Sequence, residues 1–319
     1  MVYWDYYHDD EEFYGKMIEK HRALTTDFSF AGGAWKWSGF APLLSLSERN
    51  SVAALRACRK YGVRSVMVTA WGDNGAECSP FAVLPLIATY SDSCYGGFDS
   101  VQKELFSLYA GDYDAFCKVE LANRLSDEPM AKQTNCSCKY FLYNDLLSGV
   151  FDSNAACDVS ERERRNGREI AQAKKKVGRY GYIFDALAAL CDLLTVKADF
   201  GVRLKNAYDA KDLAGIKKLA AECDVMLCKT EKFYRLFSIQ WNTDNKRNGF
   251  EVQTARIGGL MQRIKDVKKI LTDYAGGVTD RIPELEAERL DFMGNRSNMS
   301  KQTDILYNNY AFTASVNVL

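Results

Sequence analysis

Long apolar runs are missing from this sequence. The longest, Phe81–Tyr90, is far shorter than the roughly 20 residues a membrane-spanning helix needs and contains Pro85, so no membrane span is expected. An excess of one charge is missing too: Lys and Arg number 42, Asp and Glu 42, which leaves no overall field to gather nucleic acid or an anionic bilayer. Histidine is nearly absent. His8 and His21 have no metal-ligand spacing to Cys136 and Cys138, and those two cysteines sit one residue too close for a zinc knuckle. No metal or cofactor site is expected. Only five prolines occur, which argues against a disordered or low-complexity chain.

What is present is an ordinary globular composition, 47% hydrophobic, over 319 residues. Single cores stop growing at roughly 250–300 residues, so two domains are expected. The ten cysteines are scattered from Cys58 to Cys228 in a chain too large to need staples, with no apolar leader ahead of them. Reduced thiols in a cytoplasm are the expectation.

The first hundred residues alternate strand and helix signals, as parallel βα units do. Met1–Tyr7 reads as a buried strand, followed by the acidic turn Asp9–Glu12 opening a helix to about Leu24. Phe28–Ala31 reads as a second strand, running into a loop with Gly32, Gly33, Trp35, Trp37 and Gly39. Ser45 and Glu48 have capping-box spacing, with an apolar stripe Leu46, Val52, Leu55, Cys58 and a stop at Gly62. Val63–Ala70 reads as a strand buried on both faces of a parallel sheet, delivering Trp71 at its end, and Phe81 onward is helical again.

From about Asp99 to Tyr274 the strand signals give way to successive amphipathic helices, placing a domain boundary near Gly96–Gly97 and giving domains 1–97 and 98–319. Ser160 and Glu163 form a second capping-box spacing, and Ile170, Val177, Phe184, Leu187, Cys191 and Leu194 mark one long helix. The basic stretch Arg162–Arg179 is interrupted by glutamates and reads as a solvated helix face. Leu213–Met226 and Val252–Leu271 repeat the helical stripe, the latter ended by Gly276 and Gly277, and Tyr307–Leu319 has a β-like composition suited to a docking tail.

Aromatics and carboxylates coincide at three places, each after a strand candidate: Trp4-Asp5, Gly32-Gly33-Ala34-Trp35-Lys36-Trp37, and Trp71-Gly72-Asp73-Asn74-Gly75-Ala76-Glu77. Parallel strand ends that open onto one face bring such residues together. Pyranose rings present apolar C–H patches to indoles while Asp, Asn and Glu oxygens take their hydroxyls, so the constellation suits a sugar. Each tryptophan taken singly reads equally well as core filling.

At these residues the sequence resembles the family 20 β-N-acetylhexosaminidases, most closely the subgroup ending in a helical C-terminal domain. Trp71-Gly72-Asp73 is similar to that family's Trp-Gly-Glu, with Asp in place of Glu, where the Trp walls the sugar subsite and the carboxylate binds hydroxyls 4 and 6. Asn74 and Glu77 complete the string, while Trp4, Trp35 and Trp37 resemble further pocket walls. Trp241-Asn242-Thr243-Asp244-Asn245-Lys246, Gly249-Phe250-Glu251-Val252 and Arg256-Ile257-Gly258-Gly259-Leu260 resemble the helical domain. The fold this implies is α/β plus all-α: a partial (β/α)8 barrel, its last strands and helices, followed by a helical C-terminal domain. The implied ligand is an N-acetylhexosamine-containing glycan, bound by Trp4, Trp35, Trp37, Trp71, Asp73, Asn74 and Glu77.

The resemblance also implies substrate-assisted catalysis, in which the 2-acetamido oxygen attacks C1 and a Glu of an Asp-Glu pair protonates the leaving group. That pair belongs to the fourth barrel strand, and this chain is expected to enter the barrel near the sixth, so it carries no catalytic residue. Asp9-Asp10-Glu11-Glu12 is read as a helix-start charge cluster instead. The missing N-terminal half or a second copy would then be the protein partner. Two other readings stay open: a non-catalytic helical interaction protein with a remnant barrel segment, and a complete small hydrolase using Asp73 or Glu77.

Overall fold

The computed structural model describes residues 1–37, 39–97, 103–130, 133 and 136–289. The predicted tail, Tyr307–Leu319, lies outside them. The chain forms two compact units: Met1–Glu120 with Ala173–Gly181, and Leu121–Gln172 with the chain from Tyr182 on. It is mostly helical, with one small parallel sheet.

In the first unit, β1 (Val2–Trp4), β2 (Ser29–Gly33) and β3 (Val66–Thr69) lie side by side in chain order, all parallel, with Trp4 level with Ala31 and Gly33 level with Thr69. The crossovers are α1 (Glu11–Arg22) and α2 (Leu44–Lys60). The Asp10 side chain accepts from the Glu12 amide, and Glu11 and Glu12 occupy the positive end of α1, as the acidic turn led one to expect. Tyr3 and Phe30 from the sheet, Tyr14 and Ile18 from α1 and Ala54, Ala57 and Cys58 from α2 close one core. At the end of α2, Gly62 takes φ +67° and the Val63 amide bonds the Cys58 carbonyl at 2.8 Å, the glycine stop read from sequence.

Three expectations for this unit fail. Met1–Tyr7 is not a buried strand: the strand is only Val2–Trp4, its side chains alternate between faces, and Tyr3 is buried while Val2 and Trp4 are exposed, since among the described residues β1 is paired on one edge alone. Ser45 does not cap α2. The helix begins a residue earlier, and Glu120 Oε1 accepts from both the Ser45 amide and hydroxyl at 2.9 Å, while Glu48 accepts from Thr89 Oγ1 on the next helix. Ser-x-x-Glu spacing fits the first turn whether or not the Ser precedes it. Nor is β3 buried on both faces: Met67 is exposed and Val66, Val68 and Thr69 are half-buried, since among the described residues β3 is paired on one edge alone.

Downstream, the run from Phe81 becomes a short 3-10 turn and α3 (Leu84–Tyr95), with Pro85 in its first turn, where it removes no needed donor. α4 (Lys103–Ala110) and α5 (Tyr113–Phe116) follow. The second unit contains α6 (Ser137–Tyr143), most of α7 (Val159–Ala173), most of α8 (Gly181–Lys197), α9 (Phe200–Asp209), α10 (Leu213–Asp244), α11 (Phe250–Ala275) and α12 (Pro283–Glu286).

The single long helix expected from Ile170 to Leu194 is two. α7 stops at Ala173, two 3-10 turns follow, and Gly178 adopts φ +52° before α8 begins, a conformation that ends a right-handed helix. The second capping box also fails. Ser160 lies inside the first turn of α7, its hydroxyl without a hydrogen-bond partner among the described residues, and Glu163 turns into the interior.

α10 and α11 form a long hairpin, with Ile216, Cys223, Met226, Phe233 and Phe237 facing Ile257, Leu260, Ile264 and Leu271 across a buried seam. Gly276 and Gly277 end α11 as expected, but Val252 and Ala255 are exposed: the stripe runs through Gln253 and Ile257 instead. The turn explains the Trp241–Phe250 string. Trp241 Nε1 donates to the Lys246 carbonyl at 3.0 Å, its ring packs on Phe250, and Gly249 takes φ +93°, where a Cβ would meet that ring at 3.3 Å.

Candidate functional site

All seven predicted sugar-site residues lie at or beyond the carboxyl ends of the three parallel strands, within the first unit. Trp4 closes β1 and Trp71 follows β3, and their indoles stack with centroids 5.5 Å apart and planes 24° apart. Both remain open to solvent, at 45% and 42% exposure.

Trp35 and Trp37 follow β2 and stack on each other at 4.7 Å and 14°. Tyr6 packs on Trp37 at 4.9 Å, and Tyr7 meets Trp35 edge-on at 5.7 Å. Both indoles are 3% exposed, so they form the base of the aromatic cluster rather than its open face. The Trp35 indole N–H has no hydrogen-bond partner among the described residues.

The glycines explain how these rings come so close. A Cβ at Gly33 would lie 2.8 Å from the Tyr6 ring and 3.0 Å from Trp37, and one at Gly32 would lie 2.0 Å from the Tyr90 hydroxyl, which Ser51 holds at 3.0 Å. The backbone is tied down as well: Thr69 Oγ1 donates to the Gly32 carbonyl, the Trp35 amide donates to Ser47 Oγ, and Asn50 donates to the Tyr6 carbonyl.

After Trp71 the chain makes a tight turn, Asp73–Gly75, in which Asn74 and Ala76 both have left-handed backbone, at φ +54° and +52°. A left-handed alanine is costly, by about 1–3 kcal/mol, and such strain gathers at ligand sites. The turn leaves Asp73 and Asn74 half-buried and sends Glu77 into the interior. Burial pushes the Asp73 carboxyl above its ordinary range, and the Lys36 charge opposes the rise.

Lys36 and Tyr6 are the site residues missing from the predicted set. Lys36, which separates the two tryptophans in sequence, is buried, its Nζ donating to the Trp71 carbonyl at 3.2 Å. A lysine inside an aromatic string in a neutral chain reads as a surface charge, and only the fold brings it under Trp71. Tyr6 had a signal, the aromatic run Trp4–Tyr7, and needed only the strand end to place it.

Three open clefts lie elsewhere, one of them, about 400 Å3, beside Asp9, Ser45 and Arg49. Another of about 240 Å3 opens beside Leu55, Val66 and Tyr95, and one of about 570 Å3 runs between α7, α8 and α10, lined by Gly167, Ala188, Asp192 and Lys229. None of the three includes a predicted sugar residue, and the Trp4–Trp71 surface is an exposed face at the strand ends.

The family model for the Glycoside Hydrolase 20C C-terminal domain matches residues 114–304, more than half of the chain. The chain belongs to this family. The matched stretch holds the hairpin of α10 and α11 and its Trp241 turn, which is where the helical-domain resemblance lay. It begins after Glu77 and so leaves the strand-end residues to be judged on their geometry. Comparison with curated proteins finds no match. No helix among the described residues is long and apolar enough to cross a membrane, and no group of three or more His, Cys, Asp or Glu side chains among them is placed to hold a metal ion.

Proposed function

We propose that this chain forms the sugar-binding sector and C-terminal domain of a β-N-acetylhexosaminidase acting on terminal β-linked GlcNAc or GalNAc. The observation that carries the reading is the stack of Trp4 on Trp71, two indoles from different strands exposed beside the uncommitted carboxylate of Asp73. Trp4, Trp71, Asp73 and Asn74 face the sugar in this reading, with Trp35, Trp37 and Glu77 as the base beneath them. Hydrolysis would be substrate-assisted, with the Asp-Glu pair supplied by residues outside this sequence.

The three parallel strands in chain order, each joined by a helix, support a sector of a (β/α)8 barrel, and the exposed Met67 on β3 marks where a further strand and its covering layer would add. That cover would come from the N-terminal half of the barrel or a second copy. We place the domain boundary at 97/98, where the α3 helix has just ended. All ten cysteines are thiols, which supports a reducing cytoplasm.

A second reading is a non-catalytic helical interaction protein, in which the matched helical stretch, residues 114–304, carries the role and the strand-end residues are a remnant. One experiment separates the two: equilibrium binding of GlcNAc and GalNAc to the full chain, followed by nitrophenyl-β-GlcNAc hydrolysis with and without a separately expressed N-terminal barrel half. The expected outcome is binding that Trp71→Ala abolishes, and hydrolysis on mixing alone. Absence of sugar binding in both conditions would leave the helical reading, and hydrolysis by the chain alone would refute an external Asp-Glu pair.

A further inference from the structure

We propose that Lys36 is the positioning residue of the sugar subsite, fixing the Trp71–Asp73 segment from beneath while leaving the Asp73 carboxylate open to a sugar hydroxyl. This inference rests on the sugar-site reading above.

A buried lysine must have its charge answered. Lys36 is 6% exposed, and the acceptor it has is the main-chain oxygen of Trp71, 3.2 Å from Nζ. A side chain at Gly72 would come within 3.9 Å of the same nitrogen. The ammonium therefore sits against the backbone of Trp71 and Gly72, next to Asp73. A carbonyl held this way fixes the peptide that carries the Trp71 ring, and with it the stack on Trp4.

Equally telling is the contact that is not made. Among the described residues Lys36 bonds the Trp71 carbonyl rather than pairing with Asp73, whose carboxylate feels the Lys36 charge without a hydrogen bond. A direct pair would occupy the oxygens a hydroxyl needs. Holding the carbonyl instead keeps the positive charge near enough to favour the ionised carboxylate, against the burial that disfavours it. The neighbouring left-handed residues Asn74 and Ala76 give the turn little freedom to compensate if the anchor is lost.

The test compares the full chain with Lys36→Met, which keeps the aliphatic stem, and Lys36→Arg, which keeps charge and donor. Two quantities are read: the titration midpoint of the Asp73 carboxyl by side-chain carbon NMR, assigned with Asp73→Asn, and GlcNAc affinity by tryptophan fluorescence. Lys36→Met should raise the Asp73 midpoint and weaken GlcNAc binding roughly tenfold, and Lys36→Arg should restore most of both. If Lys36→Met does not fold, Lys36→Gln, which keeps a donor without the charge, is read the same way. An unchanged Asp73 midpoint in a folded Lys36→Met chain overturns the proposal, as does an affinity loss that Lys36→Arg fails to recover. If the wild-type chain binds no N-acetylhexosamine but the Asp73 midpoint still follows Lys36, the sugar reading fails and the positioning of Asp73 stands.

Discussion

The indole of Trp4 lies on that of Trp71, although 67 positions of sequence and a full strand, β2, separate them. Each ring thereby leaves its outer face free, and the two together present an apolar plate larger than either alone. An offset aromatic pair of this kind contributes about 0.5–1.5 kcal/mol beyond its buried area.

The stack should therefore act as a unit in binding. In a double-mutant cycle on GlcNAc affinity, Trp4→Leu and Trp71→Leu together should cost less than the sum of the two single changes, with a coupling of about 1 kcal/mol. Additive losses measured by titration calorimetry would show that the rings bind independently.

Gly32→Ala should destabilise the first unit by about 1–3 kcal/mol. The new methyl would lie 2.0 Å from the Tyr90 hydroxyl, and that side chain is buried and bonded to Ser51. Urea unfolding measures the loss, and the combined Gly32→Ala, Tyr90→Phe chain should recover part of it, because the atom removed is the one in collision.

Glu163 gives the second unit a pH dependence. Burial raises its carboxyl to about 8, opposed by the Cys191 thiol that hydrogen-bonds it. From about pH 4.5 to 8 the folded chain keeps a proton that the unfolded chain has released, so this residue makes stability fall as pH rises through that window, by at most about 1.4 kcal/mol per unit. Glu163→Gln should flatten that slope in denaturation curves at pH 5, 6.5 and 8. A slope identical to wild type would assign the dependence to another group.

Asp145 works in the opposite sense. It is buried, yet bonds from Arg263 at 2.7 Å and from the Ser148 and Leu147 amides outweigh the burial and hold its carboxyl below the ordinary range. Its contribution is present above the unfolded value and is lost as pH falls through the folded one. Arg263→Met strands the charge and should cost about 3–5 kcal/mol at pH 7. Adding Asp145→Asn should recover a measurable part of that, as read by guanidinium unfolding.

Periodic features were legible in the sequence and unpaired ones were not. The βα alternation, the stripes of α10 and α11 and the glycine stops at Gly62 and Gly276–Gly277 all follow from local spacing. Val63–Ala70 read as a two-sided buried strand because a sequence records the partners a strand is suited to, and among the described residues one side of β3 has none. The break at Gly178 is hidden because the apolar stripe continues through it into α8. The strand-end aromatics were found by their neighbours, Gly and Asp. Lys36 escaped because its role depends on a carbonyl 35 residues away, and no spacing rule reaches that far.

The distribution of thiols turns the chain into its own reporter. Cys94, Cys157 and Cys228 are exposed, whereas Cys58 and Cys78 are sealed in the first unit and Cys136, Cys138, Cys191 and Cys223 in the second. An alkylating reagent meets the first three at once and the others only as their own unit opens. Mass-resolved labelling then clocks the breathing of the sheet unit and of the helical unit separately, in one tube and without an added probe.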